Sequence, residues 1–497
     1  MPRFLLIFFL SLYLFSCEQG AKPGKSLIVA TDREPLTINP IFLSDLSSHM
    51  ISNLVFRGLV SLDRSGTVKP ELAESWEIKD ERTLIFRLRK NAFWHDGTPF
   101  RARDVIFTYK LLNSGKVASP RKGSLGPIVE IKEVDDFTVK VTYSEPFGPM
   151  VESWTLGIMP EHIKNAVVEP SFDDRPVGTG PYRLKRWKRG DLMVLEGFER
   201  FYEGPPKTKD VIIRFIPDAS TRYLELRSGR CDVAELPPHF DNEKLLDRFQ
   251  VYKANSYRYA FLGLNLLKKE FQDERVRKAL AHAVDKERLI KVVLNGNGDL
   301  SLGPYPRGTW YFNEDLVPYK YDISKARRLL EEAGKKLNFS IYVSSESTEA
   351  LKASQLIQDD LKKVGIKTEI KLFDWQTLRH RVLEERDFEA VLMSRAYLWE
   401  PDLYDLWHSS KAHKGGWNLF SFKDEEVDRL LERSRRTVSM SERAKIYKEI
   451  QSLLYKKQAC IFLYETPLIF YAKKEIKGIN PDPRGLLYGL ENFRVVP

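Results

Sequence analysis

The chain has 497 residues, 42% of them hydrophobic and 30% charged, a balance that allows a large buried core and, at this length, roughly two to four domains. Its formal charge is +10, but Lys and Arg are spread among 69 acidic residues. No compact basic tract stands out, which argues against nucleic acid as a partner.

At the N-terminus, Met1-Pro2-Arg3 carries one positive charge and Phe4 to Phe15 is almost wholly apolar. A run of about a dozen residues is too short to cross a hydrocarbon core of roughly 30 Å, so residues 1–16 read as a signal peptide. Leu14-Phe15-Ser16-Cys17 resembles the lipobox of bacterial lipoproteins, with Phe15 bulkier than the usual occupant. The resemblance implies a lipidated Cys17 as first mature residue, a tether over residues 17–25, and an exported protein, periplasmic or on the cell surface. No later stretch has the length and apolarity of a transmembrane helix.

Leu27 to Ala30 then reads as a first buried strand. Thr83 to Arg89 and Phe137 to Tyr143 alternate apolar and polar residues, the mark of half-buried strands. His95-Asp96-Gly97 makes a turn between them, with Gly97 free to take positive φ. From Val276 to Leu294 the apolar spacing predicts one long helix, capped by Asp273 and ended by Asn295-Gly296. Helices over 326–333 and 351–364 stop at Gly334 and Gly365. Strands follow over 367–373 and 390–393, then helices over 424–435 and 441–456, and a last strand over 461–464. Strand following helix twice over predicts α/β domains with mainly parallel sheets.

Enzyme signatures are missing. There is no G-x-S-x-G, no H-E-x-x-H and no P-loop. Eight histidines are dispersed, and the nearest pair, His408 and His413, is spaced for neither one helix face nor one strand face. No cofactor or metal is therefore expected, and a secreted hydrolase is the rival class. Cys231 and Cys460 belong to no C-x-x-C motif; they either pair or sit buried and free, the commoner case.

Five blocks in order carry a family resemblance. They are Leu72-Ala73-Glu74-Ser75-Trp76 through Phe93-Trp94-His95-Asp96-Gly97-Thr98-Pro99-Phe100; Val177-Gly178-Thr179-Gly180-Pro181-Tyr182; Leu264-Asn265 with Asp273 to Asp285 (DERVRKALAHAVD); Tyr321-Asp322 through Ala333-Gly334; and Ile357-Gln358 to Gly365-Ile366. Together they are similar to the solute-binding protein family 5, the peptide and nickel-type receptors of ABC transporters. The resemblance implies an α/β, two-lobed periplasmic-binding-protein type II fold with an extra inserted domain and a hinged interlobe cleft. Lobe 1 would be discontinuous, 26–45 plus 175–263 plus 463–497; the inserted domain 46–174 would pack on it, and lobe 2 would cover 264–462. The partners implied are a peptide or other small ligand and the permease subunits of an importer, with the receptor a monomer.

Most matching residues read as scaffold, Trp76 and Trp94 included. The ligand candidates lie where the chain should cross the cleft. Asn39 sits in the Pro35 to Pro40 loop, and Gly178, Thr179 and Gly180 offer backbone amides. Arg395, Tyr397, Trp399 and Asp402 belong to the segment RAYLWEPD, while Trp375 and Trp417 offer flat surfaces for stacking. Peptide-binding members carry an aspartate near Tyr397 that pairs with the peptide's amino terminus, so Tyr397 is a departure unless Glu400 or Asp402 supplies the carboxylate. An oligopeptide is the expected ligand. A nickel chelate, haem, an oligosaccharide or another small anion is the alternative.

Overall fold

The protein, as a computed structural model, is described over residues 26–238, 240, 245–396 and 401–496. The leader, Cys17 and the tether lie outside these residues, as do Tyr397, Trp399 and Glu400. One eleven-stranded sheet runs through the molecule. In spatial order its main path is Lys367–Phe373, Asn338–Ser344, Ala390–Ala396, Phe249–Leu264, Ile461–Lys473, Val233–Glu235, Leu27–Thr31, Asp210–Phe215, Leu192–Gly197 and Tyr182–Lys188.

Two long antiparallel strands, Phe249–Leu264 and Ile461–Lys473, are shared by both halves of this sheet. Their register slips between Asn255 and Tyr259 and again between Ala260 and Phe261. On one side of the slip they join the strands around Leu27–Thr31; on the other they join Ala390–Ala396 and its neighbours. The two strands therefore change register and neighbours near Ser256–Arg258 and Glu465–Pro467. Pro467, facing Asn255 across the pair, has no N–H to continue a ladder, which suits a place where pairing is interrupted.

Strand periodicity sets the layers of lobe 2. Phe261, Val391 and Phe462 face an aromatic-rich core under the helices Glu425–Arg436 and Met440–Lys456. Their chain neighbours Leu262, Leu392 and Ile461 face a second core under Glu274–Ala283, Ile323–Ala333 and Thr348–Lys363. Such two-sided burial is what a strand covered by helices on both faces requires. In lobe 1, Leu27, Val29, Val211 and Ile213 share one core with Leu84, Phe86, Trp94 and Trp154 of the inserted domain. That domain is built on a four-stranded antiparallel sheet, Ala73–Asp80, Thr83–Leu88, Thr138–Tyr143 and Ile128–Asp135 in spatial order.

Three sequence expectations are corrected. The sheet is mixed: Leu27–Thr31 has parallel neighbours on both sides, and Asn338–Ser344 likewise, but the two long central strands are antiparallel. The long helix predicted over 276–294 is two, Glu274–Ala283 and Lys286–Val293. Asp285 breaks it by starting a new N-cap on Arg288 N and donating its own N–H to buried Asp360. The last strand runs on to Lys473 rather than Tyr464, because its pairing with Phe249–Leu264 continues past Pro467. Cys231 and Cys460 are both buried and free. No helix among the described residues is long and apolar enough to cross a membrane.

Candidate functional site

Leu27–Thr31 is flanked on both sides by parallel strands, Val233–Glu235 and Asp210–Phe215. Crevices at the carboxyl ends of such strands, where the strand order changes direction, are the preferred binding places of open α/β sheets. Here the ends carry Asp32, Arg33 and Glu235, and they open onto a recess of about 250 Å³. Ser256, Tyr257 and Arg258, at one interlobe crossing, line it too, with Thr466 and Pro467 at the other and Ala396 at the end of the lobe 2 strand. Arg222, itself buried, braces the strand ends by donating to the carbonyls of Ile216, Pro217 and Glu235 at 2.6, 2.9 and 3.0 Å.

The recess offers both signs of charge. Burial raises the carboxyl of Glu235 above its ordinary range, while Arg258 opposes that rise and Asp32 adds to it. A carboxylate in this setting gains from a cationic partner more than a solvated one would.

A larger chamber of about 1210 Å³ lies between the inserted domain and the C-terminal segment on one side and residues 402–436 of lobe 2 on the other. Arg484 lines both spaces. Deep in the chamber, Arg57 reaches Glu491 at 3.0 Å and Glu71 at 3.7 Å. Burial works against its charge, but the two carboxylates outweigh that and hold it firmly protonated. Glu71 also accepts from the hydroxyl of Tyr202. Most of the other wall carboxylates are paired as well: Asp402 with Arg435 at 2.7 Å, Asp482 with Arg484 at 2.7 Å, Asp405 with Lys411 at 2.9 Å, Asp63 with Lys69 at 3.3 Å and Glu145 with Arg436 at 3.8 Å. His49 is held neutral, its pKa lowered to about 4 by burial first and by Arg121 second.

The glycine loop does not offer its amides to this space. Gly180 N–H donates to Val55 O at 2.9 Å, and Gly178 N–H donates to Nδ1 of His95 at 3.2 Å. Thr179 is fully buried and its hydroxyl accepts from Arg57 N–H at 3.3 Å. The loop's role is thus to hold the end of the helix Leu46–Val55, and through it Arg57, against the chamber. Asn39 is also inside the scaffold, donating to Val167 O at 2.8 Å and accepting from Ile41 N–H.

Of the second segment, Asp402 stands on the chamber wall, bonded to Arg435 Nε. Arg395 alternates with Ala396, so while Ala396 faces the recess Arg395 turns to the aromatic core, 5.9 Å over the ring of Phe261. Trp375 and Trp417 are 41% and 55% exposed and line neither space. The recess and chamber are lined instead by residues the motif reading passed over, Asp32, Glu235, Arg258, Arg57 and Arg121 among them. For Asp32 and Glu235 a signal existed: each directly follows or ends an apolar strand, where a crevice opens.

Residues 67–416 match the family model for bacterial extracellular solute-binding proteins, family 5 middle. The oligopeptide-binding protein AppA of Bacillus subtilis is 26% identical over 507 aligned residues, covering 96% of this chain and 93% of AppA. Its structure with a nonapeptide superposes with a TM-score of 0.79 at 25% identity, over 96% of this chain and 100% of that one. NikZ from Campylobacter jejuni, solved with Ni(L-His), gives a TM-score of 0.80 at 29% identity, over 94% and 99% of the two chains. The substrate-binding protein CtaP from Listeria monocytogenes shares the fold, with a TM-score of 0.88 at 24% identity over 96% and 100%.

Proposed function

We propose, from the premise that this chain belongs to the bacterial extracellular solute-binding proteins of family 5, that it captures an oligopeptide between its lobes and delivers it to the permease of an ABC importer. The family's members are transport binding proteins rather than enzymes. The chain works as an exported monomer, anchored by Cys17 at the membrane surface once residues 1–16 are removed. Lobe 1, carrying the inserted domain, and lobe 2 close about the crossings at Ser256–Arg258 and Glu465–Pro467. Ligand favours the closed form by touching both faces at once.

The observation that carries this reading is the size and lining of the interlobe space. Its chamber of about 1210 Å³ exceeds the roughly 300–1,000 Å³ usual for a small-molecule pocket. A hinge recess bearing Asp32, Glu235, Arg33 and Arg258 adjoins it. An extended peptide has the length for both spaces, and its amino terminus needs a carboxylate when water is excluded. In place of an aspartate near Tyr397, Glu235 or Asp32 serves that end. Support also comes from the AppA likeness over nearly the whole of both chains.

Native mass spectrometry of the mature protein, purified without added ligand and then offered a peptide digest, tests the reading. A ladder of peptide adducts is expected. A single non-peptide mass, such as a nickel–histidine chelate or haem, with no uptake from the digest, would overturn it.

A further inference from the structure

Among the described residues Arg484 alone lines both the recess and the chamber. It belongs to the turn Asp482-Pro483-Arg484-Gly485, closed by Gly485 N–H donating to Asp482 O at 3.1 Å. Pro483 and Gly485 face the recess and Asp482 faces the chamber, so this turn forms a partition between the two spaces. The Arg484 side chain is held fast on it. Nε and Nη2 each donate to the Asp482 carboxylate at 2.7 Å, Nη1 donates to Leu62 O, and the Tyr488 ring lies 4.4 Å from the guanidinium carbon. The same carboxylate accepts from Arg484 N–H at 2.9 Å. A planar fork bound through parallel hydrogen bonds keeps one geometry, where a solvated arginine would sample many. The backbone of the turn is fastened too: Tyr257 N–H donates to Pro483 O at 3.3 Å, and the Tyr257 hydroxyl donates to Arg64 O at 2.8 Å.

We infer that Arg484 is a specificity-determining residue, a fixed constriction that the bound peptide passes on its way from the recess into the chamber. The inference rests on the oligopeptide reading and deepens it. The recess, at about 250 Å³, is smaller than the roughly 300 Å³ at which small-molecule pockets begin. It holds one end of a peptide, and the rest continues past Arg484. One interior position of the ligand then lies against a guanidinium that does not yield. A small side chain fits there, whereas a bulky one meets the cost of overpacking. Charge is not what selects, because Asp482 already answers the guanidinium. The constriction acts by its shape.

The test offers the mature full-length protein a pentapeptide pool in which every position carries Ala, Ser, Leu or Phe in equal amounts. Captured peptides are counted by native mass spectrometry and sequenced by fragmentation. Three proteins are compared: the wild type, the double variant D482N/R484A, and R484K. The double variant opens the constriction without stranding a buried carboxylate. R484K keeps a cation beside Asp482 and loses the fork, so it reads the same effect should the double variant melt early. At one interior position the wild type should take Ala and Ser over Leu and Phe by about tenfold or more. That preference should fall to about twofold in the double variant and shrink in R484K, with the other positions unchanged. A wild type with no such position, or a preference undiminished in both variants, would refute the constriction and leave the oligopeptide reading standing. Capture of no peptide from the pool would remove both.

Discussion

Glu152 of the inserted domain and Arg443 of lobe 2, 291 positions apart in sequence, meet at 2.5 Å in an ion pair whose side chains are 8% and 3% exposed. The pair does not stand alone. Gly148 N–H donates to Arg435 O at 2.6 Å nearby, and Trp310, which Arg443 overlies at 5.7 Å, donates to the carbonyls of Ser65 and Gly66. Together these contacts join the segments around Gly66 and Glu152 to those around Trp310 and Arg443.

Removing one partner of such a pair strands a charge without water, at a cost of about 3–5 kcal/mol. Arg443→Met alone should therefore lower stability by about that amount in urea denaturation. Combining it with Glu152→Leu should recover much of the loss, because neither charge then remains. If the single and double variants are equally stable, the pair is not desolvated in solution.

Gly178 admits no side chain. A Cβ there would stand 1.8 Å from Val55 O, and one at Gly180 would stand 2.4 Å from Leu54 O. Both obstacles are backbone and cannot swing aside. Gly178→Ala should cost at least about 4 kcal/mol, among the largest single-site effects, and should reduce the yield of folded protein. Circular dichroism and thermal melting check this; a variant melting within a few degrees of wild type would contradict the packing.

Burial, opposed by the Gly180 carbonyl, lowers the pKa of His95 from 6.5 to about 4. Its ring is fixed as a neutral tautomer, Nε2–H donating to Gly180 O at 3.0 Å while Nδ1 accepts from Gly178 N–H. As pH falls the unfolded chain binds the proton first. The stabilisation is therefore complete above about pH 6.5 and is lost progressively towards pH 4. At 1.36 kcal/mol per pH unit it amounts to about 3 kcal/mol. Melting curves from pH 7 to pH 4 should show a fall in stability that is much shallower in His95→Gln. Parallel curves for the two proteins would rule out His95 as its source.

Burial raises the carboxyl of Glu235 in the recess above its ordinary range. Glu235→Gln should weaken binding of tetra-alanine by about tenfold while leaving N-acetyl tetra-alanine nearly unaffected, since only the free peptide carries an ammonium to lose. Calorimetric titration reads both. A variant that binds both peptides as the wild type does would exclude Glu235 as the partner of the amine, and the same pair of peptides on Asp32→Asn would then examine its neighbour.

Much of the scaffold was legible before any coordinates. Asp273, Gly334 and Gly365 cap or end helices as their types predict, and Lys367–Phe373 is a strand with the expected bounds. These are local matters, set by φ, by hydrogen bonds a few residues away and by which face of an element is apolar. Local pattern misled where a distant residue intervened. Asp360, 75 positions from Asp285, helps to break a helix that apolar spacing makes continuous. The last strand, expected to end at Tyr464, runs on to Lys473 against a partner that changes register beside Pro467.

The binding space was the least legible part, for the same reason. A motif such as Gly178-Thr179-Gly180 announces that backbone must come close to something, but not whether that is a ligand or, as here, the carbonyls of Leu54 and Val55. Sequence by itself determined the family resemblance, the capped helices and the alternating strands, all of which rest on near neighbours. Only the tertiary structure decided which charges are spent. Asp402 is answered by Arg435 and Glu71 by Arg57. Those pairings arise from burial and distance between segments far apart in the chain, which no spacing along it records.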